Sequence, residues 1–197
     1  MCTKRLNIVV AACKNNGIGV NGSIPWRLKK DMAMFRHITS DTVDESKQNA
    51  VIMGRKTWMS IPDKFRPLKN RVNIILSNTL SESPDGTYIV KNFQQALSLV
   101  NSDKMKQQIE SVHIIGGSSV YKEAMESDYD CRVYLTKVDA DFECDTFLPP
   151  IEESLFQRVK NPSNIPSDVQ EENGIQFTYE IYDKTTDQSD RESPVSR

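Results

Sequence analysis

The stretch Ala50-Val51-Ile52-Met53-Gly54-Arg55-Lys56-Thr57, residues 50–57, decides the fold of this chain. Its first four residues form an apolar run typical of a strand that is buried on both faces, and Gly54 ends the run. We expect a helix to open directly afterwards. Because backbone N–H groups at a helix start attract anions, and Arg55 and Lys56 add positive charge, the stretch predicts a phosphate site. The alternative is a glycine turn with two solvated cations.

Similar apolar runs recur along the chain and alternate with helix-like segments. The runs predict buried strands at Ile8–Ala12, Ala50–Met53, Val72–Leu76, Tyr88–Val90, Val112–Ile115 and Val133–Val138. The helix-like segments are Leu28–Ile38, Thr57–Ile61, Phe93–Val100 and Ser118–Ser127. Phe177–Tyr182, after a Glu172-Asn173-Gly174 turn, alternates as an antiparallel edge strand does. The pattern predicts an α/β fold: a single-domain, mixed but mostly parallel twisted sheet with helices on both faces and an antiparallel C-terminal edge.

Composition limits the possible functions. The 197 residues suit one domain, which we place at 1–183, and the polar, charged segment 184–197 predicts a disordered tail. With a formal net charge of -2 and no basic block, the chain offers no footprint for nucleic acid or a membrane surface, so we expect a small-molecule ligand and a monomer. The four cysteines lack metal-ligand spacing and predict free thiols, a cytoplasmic location and no metal site.

Gly17-Ile18-Gly19-Val20-Asn21-Gly22 matches the GxGxxG fingerprint of a classical dinucleotide fold, but the context does not. Ser23-Ile24-Pro25 follows and breaks the helix that the genuine motif requires, and no second strand ends in a suitably placed acidic residue. We interpret the segment as a flexible glycine loop that opens and closes over a site at the end of the first strand.

A third glycine site, Gly116-Gly117-Ser118-Ser119, follows Val112–Ile115 and opens a helix. Two glycines permit close backbone approach, so a pyrophosphate could lie against the exposed amides. The alternative is a tight turn with Ser118 as the helix N-cap. Two such sites after two strands of one sheet predict a dinucleotide along the carboxyl edge of the sheet.

Asp31 lies within the apolar stripe of the first predicted helix, which is formed by Leu28, Met32, Phe35 and Ile38. A buried carboxylate is costly unless it is hydrated, paired or held for a ligand, and the last case would be an active site. The alternative is a solvated charge that favours the helix dipole.

Taken in order, these segments resemble dihydrofolate reductase up to about Asp183. The resemblance is carried by Asn15–Gly19, Pro25-Trp26, Val51–Trp58, Ser60–Pro62, Arg66–Leu68, Ile115–Ala124, Asp141–Glu143, Asp145–Phe147 and Ser167–Glu172. It implies an oxidoreductase that uses NADPH to reduce 7,8-dihydrofolate to tetrahydrofolate, with hydride transfer to pterin C6 and protonation of N5. Such an enzyme supplies one-carbon metabolism and thymidylate synthesis and is a target of antifolate inhibitors.

The resemblance also assigns roles to individual residues. Asp31 would accept hydrogen bonds from the pterin 2-amino group and N3, Trp26 would hold an ordered water, and Thr136 would share this network. Arg71 would clamp the α-carboxylate of the glutamate tail, a bidentate task that suits arginine. The implied substrate-binding residues are Val9, Val10, Ala11, Asp31, Met32, Phe35, Ile61, Phe65, Leu68, Arg71, Ile115 and Tyr121.

For NADPH, the resemblance places the 2′-phosphate near Arg55, Ser77 and Lys91. The implied cofactor-binding residues are Ala11, Gly17, Ile18, Gly19, Val20, Asn21, Gly22, Ser23, Gly54, Arg55, Lys56, Thr57, Leu76, Ser77, Asn78, Lys91, Gly116, Gly117, Ser118, Ser119, Val120 and Tyr121.

Several positions depart from the vertebrate pattern of the family. The acid is Asp31 rather than glutamate, and it follows Trp26 by five residues, a bacterial-like spacing. Met32 stands where many vertebrate relatives have an aromatic residue, and Phe65 replaces a polar residue at the pocket mouth. Asn78 stands where they place an arginine on the 2′-phosphate, so the resemblance does not set the strength of the preference for NADPH over NADH.

Two other functions stay open at this stage. One is a binding module that keeps both pockets without turnover, and the other is a pterin or pyrimidine reductase of flavin synthesis on the same fold. Arg71 argues against the second, because those substrates lack the glutamate carboxylate. Loss of NADPH absorbance on mixing with dihydrofolate separates the three functions.

Overall fold

A computed structural model describes residues 5–80, 82–84 and 86–185 of the chain. The helices are α1 (Lys29–Ser40), α2 (Arg55–Ser60), α3 (Phe93–Val100), α4 (Asp103–Gln108) and α5 (Ser118–Glu126). The strands are β1 (Leu6–Ala12), β2 (Gly17–Gly19), β3 (Gln48–Gly54), β4 (Arg71–Leu76), β5 (Thr87–Val90), β6 (Ile109–Gly116), β7 (Cys131–Val138), β8 (Thr146–Phe147), β9 (Phe156–Val159), β10 (Gln170–Glu172) and β11 (Ile175–Lys184). Among the described helices, none is long and apolar enough to cross a bilayer.

The main sheet has the strand order β10-β11-β7-β1-β6-β3-β4-β5, and β9 also pairs with β11. The pairs within β7-β1-β6-β3-β4-β5 are parallel, whereas β11 runs antiparallel to β7, β9 and β10. The predicted α/β fold with an antiparallel C-terminal edge is therefore confirmed. Asn173 and Gly174 both adopt positive φ, 55° and 75°, between β10 and β11, so the predicted hairpin turn is confirmed too.

Successive side chains of each strand point to opposite faces of the sheet, and the apolar ones pack against other elements on both faces. In β1, Leu6, Ile8 and Val10 belong to a core with α3 and α5. Trp26 and Leu28 pack on the opposite face with residues of β7 and β11, and Trp58 of α2 packs there against residues of β3, β4 and β6. The strands are buried on both sides, which accounts for their nearly continuous apolar runs.

Several element boundaries and one helix face differ from the prediction. Helix α1 runs from Lys29 rather than Leu28, and α2 opens at Arg55 rather than Thr57. On α1 the predicted apolar stripe is only partly buried: Leu28 is buried, Phe35 and Ile38 are partly buried against core clusters, and Met32 is 53% exposed, whereas Thr39 is fully buried. The reason is that this part of the helix borders an open cleft. Helix α4 and the short strands β2, β8, β9 and β10 were not predicted, because they have six residues or fewer and little apolar periodicity.

The predicted tail boundary at 183/184 is wrong by at least two residues. Lys184 is the last residue of β11, and Thr185 donates a backbone hydrogen bond of 2.8 Å to Leu155 O. The Lys184 ammonium donates to Met125 O and Ser127 O at the end of α5. The remainder of the predicted tail, 186–197, lies outside the described residues.

Lys184→Met should therefore lower the free energy of unfolding by about 1–2 kcal/mol, because it leaves two carbonyl oxygens at a helix end without their cationic donor. Urea unfolding of the purified protein measures this change. Deletion of 186–197 is the matched control and should leave both stability and activity nearly unchanged, since this segment has little apolar surface. Equal stability of Lys184→Met and the unmodified chain would show that these contacts contribute nothing.

Candidate active site

The carboxyl ends of the parallel strands open into a cleft of about 1860 Å³. Nearly all of the predicted substrate and cofactor residues line this cleft; the exceptions are Gly17, Val20 and Asn21. The structure thus brings together side chains that are far apart in sequence. The cleft is also lined by residues that sequence reasoning missed, which include Ile24, Ser60, Pro62, Lys64, Asn92, Lys122 and Tyr179.

Gly17, Val20 and Asn21 do not line the cleft, and their backbone groups pair within the loop and with the segment 145–147. Gly17 pairs with Phe147 of β8, and Val20 forms an isolated bridge with Ser23. The Asn21 N–H donates to Asp145 Oδ2 at 2.7 Å. The glycine loop is therefore fastened along the segment 145–147, and no helix opens from it, in agreement with the rejection of the classical dinucleotide fingerprint.

One end of the cleft contains a carboxylate network built on three neighbouring strands. Ala11 of β1, Thr136 of β7 and Tyr179 of β11 are in register. The Thr136 hydroxyl donates to Asp31 Oδ1 at 2.7 Å, which fixes the half-buried carboxylate against the sheet. Asp31 is thus held by a partner on β7, and the alternative of a fully solvated helix-start charge does not fit this geometry.

The surroundings of Asp31 shift its carboxyl pKa upward. Burial raises the carboxyl pKa above its ordinary value, the Thr136 hydrogen bond opposes this shift, and the negative charge of Glu172 adds to it. The Tyr179 pKa is raised to about 12 by burial and then by the Asp31 charge. A carboxyl group with a shifted pKa in a cleft is typical of a functional site.

Trp26 provides an unused donor beside this network. Its Nε1–H is buried and has no hydrogen-bond partner among the described residues, while its ring packs against Phe142 at 5.3 Å between centroids. A buried indole N–H normally has an acceptor, so this atom indicates a place for an ordered water or a ligand atom.

Glu172 positions the helix that carries Asp31, and sequence reasoning missed this role. Its two carboxylate oxygens accept the Lys29 and Lys30 backbone N–H groups, each at 2.9 Å. These hydrogen bonds cap α1, and they also lower the Glu172 pKa. The signal was present in the sequence: Leu28 precedes the helix and has no capping side chain, so the cap had to come from another segment.

At the other end of the cleft, the two predicted anion sites lie side by side. A Cβ on Gly54 would lie 3.5 Å from the Val120 side chain and 3.7 Å from Gly117 N. Gly116 has φ 130°, and a Cβ there would lie 3.0 Å from Thr57 Oγ1, so the position requires glycine.

The alternative role of Ser118 as an N-cap is wrong. The N-cap residue is Gly117, and the Ser118 hydroxyl donates to Phe147 O at 2.6 Å. The backbone N–H groups that open α5 are therefore not covered by a capping side chain. Tyr121, one turn later, is buried and donates its hydroxyl to Val9 O at 3.1 Å, and burial raises its pKa. Tyr121 thus links the start of α5 to the strand that ends at the carboxylate network.

Cationic side chains surround this glycine edge. Arg55, Lys56 and Lys91 are exposed, and within the part of the chain that the structure describes they form no ion pair. Ser77 is buried, and its hydroxyl oxygen accepts the Thr79 and Leu80 N–H groups at 3.1 and 2.9 Å. These bonds shape the turn that follows β4, and the Ser77 and Thr79 hydroxyl oxygens lie 3.5 Å apart.

Arg71 lies at the mouth of the cleft without an anionic partner among the described residues. Its guanidinium donates to Thr39 Oγ1 at 2.7 Å and to Lys69 O at 3.0 Å. Burial and the nearby charge of Arg36 lower the Arg71 pKa to about 10. Its buried neighbour His113 has a pKa lowered to about 4, by burial and then by the Arg71 charge, and is therefore neutral near pH 7. Arg71 is thus a partly buried cation without a counter-ion, which suits an anionic ligand group.

Between these charged ends the cleft wall is apolar and partly open. Met32 and Phe65 are 53% and 55% exposed, and Ile61 and Leu68 are partly buried beside them. An exposed apolar wall at a cleft is typical of a ligand-binding surface.

These features define an α/β protein with an extended ligand cleft along the carboxyl edge of its sheet, with a carboxylate at one end and glycine turns with cations at the other. The family model described as "Dihydrofolate reductase" matches residues 5–184. The chain belongs to the dihydrofolate reductase family, and the predicted enzyme class, an oxidoreductase of folate metabolism, is confirmed.

Individual relatives agree with this assignment. The chain is 45% identical over 184 residues to a dihydrofolate reductase of Gallus gallus, covering 92% of this chain and 97% of the relative. It is 46% identical over 181 residues to that of Sus scrofa, covering 91% and 97%. The solved Schistosoma mansoni dihydrofolate reductase superimposes with a TM-score of 0.83 at 41% identity, covering 91% of this chain and 98% of that structure.

Proposed function

We propose that the cleft binds NADPH and 7,8-dihydrofolate side by side, and that the enzyme transfers a hydride to pterin C6 while N5 gains a proton. Family membership supports the overall reaction, reduction of dihydrofolate to tetrahydrofolate. The observation that carries the proposal is the half-buried Asp31, hydrogen-bonded to Thr136, in the same cleft as two glycine turns and cations that form no ion pair with the described residues.

Asp31 is proposed to bind the pterin edge. Two parallel N–H donors, the 2-amino group and N3, match the two oxygens of a carboxylate. Thr136 donates one hydrogen bond to Oδ1, and the remaining acceptor sites of the carboxylate stay available for the pterin. Thr136 therefore orients the Asp31 carboxylate and leaves hydrogen-bond acceptor sites on it for the pterin.

The proton for N5 is proposed to come from water. Asp31 would lie far from N5 in this pose, so it acts by orienting the pterin and by stabilising positive charge on it. The unpartnered Trp26 Nε1–H supports a water position near the carboxylate. The apolar wall would exclude other water from the reacting carbon.

NADPH would supply the hydride, and the structure offers groups that fit its phosphates. The amides at the start of α2 and α5, beside the adjoining turns at Gly54 and Gly116-Gly117, suit the pyrophosphate. Arg55, Lys91 and the Ser77 hydroxyl suit the 2′-phosphate, since neither cation is paired within the described part of the chain.

An absorbance assay tests the proposed function. NADPH absorbance should fall when enzyme and dihydrofolate are mixed and should stay constant without substrate. A binding module would leave it constant in both cases, and a pyrimidine reductase of flavin synthesis would reduce its own substrate rather than dihydrofolate.

Arg55→Ala should weaken the preference for NADPH over NADH, because it removes a charge-assisted contact to a phosphate that NADH lacks. We expect the KM for NADPH to rise about tenfold while the KM for NADH barely changes. Lys104→Ala is a matched control, since Lys104 is an exposed cation of α4 that does not line the cleft. Equal losses with both cofactors would assign Arg55 to the pyrophosphate or to folding.

We also propose that the enzyme acts as a monomer in the cytoplasm. Among the described residues, Cys13, Cys131 and Cys144 are free thiols, which supports a reducing compartment. Light scattering of the purified protein tests the oligomeric state.

A further inference from the structure

Two free cysteines lie together at the base of the glycine loop. Cys13 Sγ and Cys144 Sγ are 3.9 Å apart although the residues are 131 positions apart in sequence. Cys13 follows β1 and is buried, and Cys144 is half-buried just before β8. Cys131 lies elsewhere, buried against α5, where its thiol donates to Ala124 O at 3.1 Å. The proposed reduction of dihydrofolate uses none of these thiols.

Backbone contacts hold the two thiols in this arrangement. Cys13 N–H donates to Gly17 O at 3.0 Å, and Leu148 N–H donates to Asn16 O at 2.8 Å. Gly17 has to be glycine because a Cβ there would lie 2.4 Å from Cys144 Sγ. The Cys144 side chain thus packs directly against the turn that begins at Cys13. The pairing of β2 with β8 holds together the two backbone segments that carry the thiols.

We propose that Cys13 and Cys144 form an oxidisable thiol pair, which a low-molecular-weight disulfide converts to an intramolecular disulfide that ties the glycine loop to the segment 144–147. The pair is a modification site separate from the catalytic residues proposed above. The proposal rests on the position of the two thiols and not on the proposed reaction.

The chemistry is two successive thiol–disulfide exchanges. Cys144, the more accessible thiol, loses its proton, and its thiolate attacks one sulfur of the small disulfide; the other sulfur leaves as a thiol. Cys13 then loses its proton and attacks Cys144 Sγ in the mixed disulfide, which releases the second small thiol. The protein pair gives up two electrons and two protons, and the small disulfide is reduced to two thiols.

The surroundings align the two thiols and affect how fast they exchange. The Cys13 thiol donates to Asn15 Oδ1 at 2.9 Å, which aligns it beside Cys144. Burial and the neighbouring Cys13 thiol raise the Cys144 pKa, so the exchange should be slow at neutral pH and faster in mild base.

Oxidation should change both stability and turnover. A covalent tie across 131 positions restricts the unfolded chain, so the melting temperature should rise. The glycine loop contributes Gly22 and Ser23 to the cleft wall, and fixing its base should slow any opening, so turnover should fall severalfold and return with dithiothreitol.

The test uses the full chain with Cys2→Ser, because Cys2 lies outside the described residues. Oxidised glutathione at about pH 8.5 should remove two thiols, and peptide mapping should find one linked peptide pair that joins Cys13 to Cys144. Cys131 should remain available to an alkylating agent after denaturation. Phenylarsine oxide, which bridges two close thiols without oxidation, should bind one equivalent to the reduced protein.

Two variants separate the possible results. Adding Cys131→Ser should leave the cross-link intact, whereas adding Cys144→Ser should abolish both the cross-link and the arsenical binding. Mixed glutathione adducts without a cross-link, or a disulfide that involves Cys131, would overturn the proposal. A fully cross-linked sample with unchanged turnover would overturn the claim that the disulfide acts on the loop. Failure of the reductase assay, by contrast, would leave the peptide map unaffected.

Discussion

Asp31→Asn should reduce turnover near neutral pH on the order of a hundredfold or more, a loss of about 3 kcal/mol of transition-state stabilisation. Asparagine keeps the shape and an acceptor for Thr136, but it removes the charge that stabilises a protonated, correctly oriented pterin. Steady-state kinetics with NADPH and dihydrofolate measure the change. Acidifying the assay should recover part of the rate, because substrate protonated in solution needs less help from the enzyme.

The stability of the same variant provides a separate check. Because burial raises the Asp31 pKa in the folded protein, the folded state holds this proton more tightly than the unfolded state does. The free energy of unfolding should therefore fall as the pH rises from the ordinary carboxyl pKa, which Asp31 has in the unfolded chain, through the raised pKa that it has in the folded protein. Asparagine has no charge, so it avoids the penalty of burying an ionised carboxylate at neutral pH. The melting temperature of Asp31→Asn should therefore equal or exceed that of the unmodified protein.

Asp103→Asn is the matched control, because Asp103 is an exposed carboxylate in the first turn of α4. It should leave turnover unchanged. If Asp31→Asn behaved like Asp103→Asn at neutral pH, Asp31 would be an ordinary helix-start charge and the proposed mechanism would be wrong.

Arg71→Gln should raise the KM for dihydrofolate by about thirty- to a hundredfold with little change in kcat, because it removes the cation that is proposed to bind the glutamate carboxylate through two charge-assisted hydrogen bonds. This corresponds to a loss of about 2–3 kcal/mol of binding free energy, which affects the bound substrate and the transition state equally and so leaves kcat nearly unchanged. Removing a partly buried cation should cost little stability, so the melting temperature serves as the folding control.

A substrate without the glutamate provides the most direct control for the role of Arg71. The KM for 7,8-dihydropteroate, which lacks the glutamate, should be high with the unmodified enzyme and unaffected by Arg71→Gln. Arg36→Gln, at an exposed neighbouring cation of the cleft, should have a much smaller effect on dihydrofolate. A loss with both substrates would show that Arg71 supports the fold of the pocket rather than binding the tail.

The sequence predicted the strands and the edge of the sheet where the cleft lies, for a physical reason. Strands buried on both faces need continuous apolar runs, and glycine turns directly after them mark close backbone approach, as at Gly54 and Gly116. The network of Asp31 with Thr136 was expected only from the family resemblance, because nothing local relates a helix residue to a strand 105 positions later.

Other features depend on long-range contacts that have no local pattern. The Glu172 cap and the Cys13–Cys144 pair join segments that are more than 100 positions apart. The sequence placed the whole glycine loop over the cleft. In the structure, Gly17 and Asn21 bind the 145–147 segment and Val20 pairs with Ser23, through backbone groups that composition does not reveal. Met32 looked like a core residue because periodicity does not distinguish a core from a cleft wall.

The position of β11 has a consequence for the biosynthesis of this enzyme. Asp31 and Thr136 are synthesised before Glu172 and β11, yet Glu172 caps the helix of Asp31 and β11 covers the edge of β7. A nascent chain that ends before β10 would leave β7 with an open edge, a template for aggregation, and α1 without its cap. The catalytic pocket is therefore completed by the last part of the domain to be translated, and incomplete chains should be inactive and prone to self-association.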